Sequence, residues 1–161
     1  VKIEENKMLK NKIYFAGPLF SQAERNFNIE LTERIEKLNF EIFLPQRDGA
    51  ELDKPPFINM TQEERNKAIF KLDVNQVSQC DIFLFILDGR VPDEGACFEL
   101  GLAYNQKKMI IGLHTDMRAS FIDSKLNAML EGAFDELFTS AEALINYLKG
   151  LQEIKIEPNN T

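Results

Sequence analysis

The chain has 161 residues, 44% hydrophobic and 28% charged, with 26 acidic side chains against 19 basic and a formal net charge of −7. That length fits one domain able to bury a core without disulfide or metal staples. The acidic balance excludes a general nucleic-acid binder, which would carry a basic surface, and no apolar run approaches the ~20 residues needed to span a bilayer.

Residues 1–11 are charged and lack any hydrophobic period, so a flexible N-terminal arm is expected, with no apolar segment of a secretory leader. The sequence KIYFA (12–16) reads as a strand stopped by Gly17 and Pro18. Over 19–38, Phe20, Ala23, Phe27, Leu31, Ile35 and Leu38 recur at three- and four-residue steps, which predicts an amphipathic helix. FEIFL (40–44) is a second strand, and 46–60 reads as a loop with Gly49, Pro55 and Pro56. Thr61 and Glu64 have capping-box spacing and open a helix to about Ser78. CDIFLFIL (80–87) is nearly continuous in apolar residues, the pattern of a strand covered on both faces. A loop, DGRVPDEG, leads into the helix ACFELGLAYNQ; KMIIGL (108–113) is a further buried strand, followed by a polar loop over 114–125. A short helical piece at 126–131, a weak strand at 135–138 and a helix from Thr139 or Ser140 to Lys149 and Gly150 complete the domain. Residues 151–161 read as a tail.

This alternation of strands and helices predicts an α/β domain over 12–150, a flavodoxin-like five-stranded parallel sheet in the order 2-1-3-4-5 with helices on both faces. Ligands of such sheets bind beyond the carboxyl ends of the strands. The loops at 16–21, 45–61, 87–99 and 114–127 are therefore where chemistry belongs. Cys80 and Cys97 lack C-x-x-C spacing, read as packing residues and point to a reducing, cytoplasmic setting.

The first loop, AGPLFS, contains neither G-x-G-x-x-G nor G-x-x-x-x-G-K-[ST], so no phosphate-cradling motif is present. Gly17 permits either a plain strand-to-helix turn or a close approach to a ligand. Phe20 is placed to stack on a flat ring, whereas Phe15, Phe27, Phe40, Phe43, Phe70, Phe83 and Phe85 fall on core periodicities. The third loop gathers Asp88, Asp93, Glu94 and Glu99. Glu99 sits among Ala96, Cys97, Leu100 and Ala103, with Gly95 and Gly101 near enough to leave room for a ligand. It reads either as a nucleophile toward an electrophilic sugar carbon or as an ordinary salt-bridged Glu. Asp73, between Leu72 and Val74, is either a paired core polar group or a buried acid with a raised pKa. His114 is the sole histidine, which excludes a histidine-based triad and a multi-histidine metal site within one chain.

Taken in order, KIYFAGPLFS, FKLDVNQVSQCDIFLFIL, PDEGACFELGLAY and LNAMLEGAF span most of 12–148, and together they resemble the nucleoside 2-deoxyribosyltransferase family. The resemblance implies base exchange on 2′-deoxynucleosides by double displacement, as part of nucleoside salvage. Glu99, in the E-L-G motif, would be the nucleophile and Asp73 the acid that protonates the leaving base. Tyr14 would orient Glu99, Asp93 would hold the base or the deoxyribose hydroxyls, and Gly17 would let the first loop approach the ligand. Asn127 would reach the 5′-hydroxyl of a substrate in a neighbouring subunit, which implies a homo-oligomer, dimer or hexamer, with a shared site. The implied partners are a 2′-deoxynucleoside and a free nucleobase, with no metal and no organic cofactor, no nucleic acid and no membrane. Gln46 or Asp48 is a candidate for base contact in the 45–60 loop, and the EPNNT tail has no family counterpart.

Two other functions fit the same scaffold. The related 2′-deoxynucleoside 5′-phosphate N-hydrolases tend to carry a glycine- and arginine-rich first loop and Ser at the position of Asn127. Here AGPLFSQAER has one glycine, and Arg25 lies in the helix, although Ser21 and Arg25 remain candidates for a small anion site. A non-catalytic nucleotide-sensing module would need no nucleophile, and the joint presence of Tyr14, Asp73, Asp93 and Glu99 argues against it.

Overall fold

The computed structural model describes residues 12–50, 55–116, 118 and 126–154. In chain order these form β1 (Lys12–Ala16), α1 (Gln22–Glu36), β2 (Glu41–Phe43), α2 (Pro45–Asp48), α3 (Gln62–Gln79), β3 (Ile82–Ile86), α4 (Glu94–Asn105), β4 (Met109–Leu113), α5 (Ala128–Glu131), β5 (Glu136–Phe138) and α6 (Ala141–Ile154). The strands make one sheet in the order β2-β1-β3-β4-β5, every neighbouring pair parallel, as the alternation predicts.

Successive side chains on a strand point to opposite faces, and here both faces are apolar. Ile13 and Phe15 of β1, with Ile82, Leu84 and Ile86 of β3, pack against Leu31 and Ile35 of α1 and Leu144 and Leu148 of α6. Tyr14 and Ala16, with Phe83 and Phe85, pack instead against Val77 of α3 and Ala96, Leu100 and Ala103 of α4. The central strand is buried along its whole length because helices cover both its faces.

The helix starts follow local chemistry. At α1, Ser21 Oγ accepts from the Glu24 N–H while the Glu24 carboxylate accepts from the Ser21 N–H, so the helix begins at Gln22, later than apolar spacing alone indicates. Thr61 and Glu64 make the same reciprocal pair at α3, as their spacing predicts. Two further expectations are corrected. Residues 45–48, read as loop, form the single turn α2, with Pro45 in its first positions. The last helix does not stop at Gly150 but runs on to Ile154, so the first four residues of the expected tail are helical. The expected arm at 1–11 and the rest of the tail, 155–161, lie outside the described residues. No helix among the described residues is long and apolar enough to cross a membrane.

Candidate active site

Beyond the carboxyl ends of β1 and β3, walled by α3 and α4, lies a cleft of about 430 Å³. The first loop contributes Gly17, Leu19 and Phe20, and Pro45 comes from the start of α2. Along α3, Asn66, Ile69, Phe70, Asp73 and Val74 face it at helical spacing; from the start of α4 come Asp93, Gly95, Ala96, Phe98 and Glu99. Five of the seven expected site residues, Gly17, Phe20, Asp73, Asp93 and Glu99, thus meet in one place.

Tyr14 lies beneath this cleft. It is fully buried, its ring stacked between Phe43 and Phe83 at centroid distances of 5.5 and 5.6 Å. Those rings sit at matched register on neighbouring strands. The hydroxyl donates to Glu99 Oε1 at 2.8 Å, so a side chain immobilised by the sheet grips a carboxylate on the helix above it. Glu99 is half-buried and Asp73 is buried at 8% exposure, on a face of α3 otherwise given to Val77. Asp93 is the N-cap of α4, its Oδ2 accepting from the Ala96 N–H at 2.9 Å. A side chain on Gly95 would bring a Cβ to 3.2 Å from that oxygen.

Gly17 has φ +144°, a left-handed conformation, and a Cβ there would lie 2.8 Å from Ile86 Cβ and 2.9 Å from the Ile86 carbonyl oxygen. Glycine is therefore required by the approach of the first loop to β3. Phe20 is 71% exposed on the rim of the cleft. Phe70, read from periodicity as core, is instead 59% exposed and forms a tilted pair with Phe98 at 6.0 Å across the α3–α4 wall. Helical period identifies an apolar face, but it cannot tell a core face from a cleft face. Gly101, expected near the ligand, does not line the cleft, and a Cβ placed on it would meet no atom within 4 Å.

Asn127 is exposed and absent from the cleft wall; its Oδ1 caps α5 by accepting from the Met129 N–H at 2.9 Å. Gln46 and Asp48, candidates for base contact, are engaged elsewhere. Gln46 Nε2 donates to the Arg25 carbonyl and its Oε1 accepts from buried Asn28, both at 2.9 Å. Asn28 also donates to the Pro18 carbonyl at 2.9 Å, so this network ties the first loop to α2. Asp48 accepts from the Leu44 N–H and from Arg47. Asp88 accepts from the Thr115 N–H, the Thr115 hydroxyl and the Asp116 N–H, latching the β3–α4 loop to the segment after β4.

The start of α1 is also occupied. Glu24 Oε2 accepts from the Ser21 N–H at 2.6 Å and the Phe20 N–H at 3.0 Å, and the Ser21 backbone bond holds its carboxyl below the usual range. Arg25 donates to the Phe20 carbonyl at 2.9 Å. Burial pushes the Cys80 thiol up to about 11 and raises that of Cys97, so neither is poised as a thiolate nucleophile. Among the described residues, no three His, Cys, Asp or Glu are grouped to hold a metal ion.

The family model for nucleoside 2-deoxyribosyltransferases matches residues 13–145. A conserved protein from Enterococcus faecalis V583 is 30% identical, with 87% of this chain and 98% of that one covered at a TM-score of 0.71. A 2-deoxyribosyltransferase from Bacillus psychrosaccharolyticus is 21% identical, with 84% and 91% covered at 0.71. A CMP N-glycosidase from Clostridium botulinum is 17% identical, with 85% and 97% covered at 0.52. The last two likenesses are of fold. No curated protein sequence matches the chain.

Proposed function

Since the chain belongs to the nucleoside 2-deoxyribosyltransferase family, we propose that it exchanges the base of 2′-deoxynucleosides through a covalent deoxyribosyl–Glu99 intermediate. The observation that carries this reading is the 2.8 Å bond from buried Tyr14 to Glu99 in a cleft that also holds Asp73 and Asp93. A flat apolar ring suits the exposed faces of Phe20, Phe70 and Phe98, and a sugar suits the carboxylates.

In the first half-reaction a Glu99 carboxylate oxygen attacks C1′, the C1′–N bond breaks, and Asp73 gives its proton to the departing base. In the second, a nitrogen of the incoming base attacks C1′ from the opposite side, the ester C–O bond breaks and Asp73 recovers a proton. Two inversions retain the configuration, and each passes through an oxocarbenium-like transition state flanked by the carboxylate. Asp93 holds base or sugar hydroxyls, Gly17 admits the sugar, and Asn127 acts on the 5′-hydroxyl in a neighbouring subunit of a homo-oligomer.

Free nucleosides are preferred over 5′-phosphates because the start of α1, a natural anion seat beside the first loop, is filled by the chain's own Glu24 carboxylate. The test supplies deoxyinosine or thymidine with adenine or cytosine. New deoxynucleosides support the transferase; free deoxyribose alone, or activity confined to 5′-monophosphates, replaces it with a hydrolase.

A further inference from the structure

Of the fifteen described residues around the cleft, Asn66 is the only uncharged one with a hydrogen-bonding side chain. The other polar groups are Asp73, Asp93 and Glu99, which the proposed chemistry uses. The nearby amide that sequence reading offered for base contact, Gln46, is engaged at both ends. Asn66 stands seven residues before Asp73 on the same face of α3, about 10.5 Å along the axis at 1.5 Å per residue. That spacing leaves room for one ring system between the two side chains.

Asn66 has a single partner among the described residues: its Oδ1 accepts from Gln62 Nε2 at 2.7 Å, one turn earlier. Gln62 does not line the cleft, so it touches the site only through Asn66. Two amides bonded in this way can invert together, exchanging oxygen for nitrogen at both ends while keeping the bond. Turned one way, Asn66 offers the cleft N–H donors; turned the other, it offers an oxygen acceptor.

We propose that Asn66 reads the hydrogen-bonding edge of the nucleobase, with its orientation set by Gln62, and so governs the balance between amino- and oxo-bearing bases. This rests on the transferase reading above. A carboxylate at position 62 only accepts, so Gln62→Glu fixes the Asn66 nitrogen toward itself and leaves the oxygen for an amino-bearing base. An ammonium only donates, so Gln62→Lys fixes the reverse and favours an oxo-bearing base.

The test uses the full chain, thymidine as donor, and adenine competing with hypoxanthine as acceptors. Gln62→Glu should raise the adenine-to-hypoxanthine ratio of kcat/KM about fivefold, and Gln62→Lys should lower it about as much, the scale of one hydrogen bond. Both shifts should vanish when Asn66→Leu is added. Ratios that stay put, move the same way in both variants, or persist without Asn66 overturn the proposal. Absence of exchange in the unaltered chain, from thymidine here and from deoxyinosine in the test above, refutes the transferase reading instead. Equilibrium binding of free adenine and hypoxanthine then tests Asn66 by itself: opposite shifts in the Kd ratio support its role, and parallel shifts, no shift or no binding overturn it.

Discussion

Tyr14→Phe separates the two halves of the proposed reaction. The ring stays stacked between Phe43 and Phe83, so no cavity opens, and the change removes the bond to Glu99 at 2.8 Å. A hydrogen bond to a charged group contributes roughly 1.5–3 kcal/mol, which at 1.36 kcal/mol per decade is about ten- to a hundredfold in rate where the bond counts fully in the transition state. That condition holds unequally. While the sugar ester forms, the carboxylate loses charge and the Tyr14 bond weakens; while the ester breaks, charge returns and the bond strengthens. Loss of the hydroxyl should therefore slow breakdown of the intermediate more than its formation. Rapid-quench measurement with deoxyinosine and excess adenine should show a burst of hypoxanthine near one per active site, followed by turnover about ten- to a hundredfold below the parent. Thermal unfolding should shift by only a few degrees. Turnover within twofold of the parent, or slowing only in proportion to a large loss of stability, would refute the reasoning.

Gly17→Ala should cost about 2–4 kcal/mol in urea unfolding, from a left-handed φ and a Cβ pressed on the β3 backbone; a change under ~0.5 kcal/mol contradicts that geometry. Glu24→Ala should lose roughly 0.3–1.5 kcal/mol at pH 7. Because the folded-state pKa of Glu24 is depressed, its contribution is present above ~pH 4.3 and is lost as pH falls through the folded value, so parent and variant should converge in acid unfolding. The same variant frees the Phe20 and Ser21 N–H groups and should raise turnover of a 5′-monophosphate relative to the nucleoside; an unchanged ratio removes Glu24 from specificity. Mixing Asn127→Ala with Glu99→Ala subunits should restore part of the exchange activity, and no rescue would eliminate the shared site.

The parallel sheet is legible in the sequence because its signals are local: apolar runs of strand length, and the Thr61–Glu64 spacing that starts α3. Asp73 and Glu99 are conspicuous as carboxylates in apolar helix faces. What escapes is set by distance or brevity. Four residues of α2 are too short to show a period. The Asn28–Gln46 bond joins residues 18 apart, and nothing local announces that Gln46 is thereby removed from the cleft. Asn66 looks like one more polar residue on a solvated helix, and Phe70 like core, until α4 is set beside α3. Asp93 both caps α4 and lines the cleft, and Asp before Glu-Gly-Ala is itself a helix-start signal.

The central claim, that Glu99 becomes covalently joined to the sugar, is tested most directly by incubating the full chain with a 2′-fluoro-2′-deoxynucleoside. The fluorine destabilises the oxocarbenium-like transition states and slows breakdown of the intermediate. Peptide mass spectrometry should then find one added fluorodeoxyribosyl mass on the peptide holding Glu99, and none in Glu99→Ala. A label on any other residue, or base release with no label at all, would contradict the account.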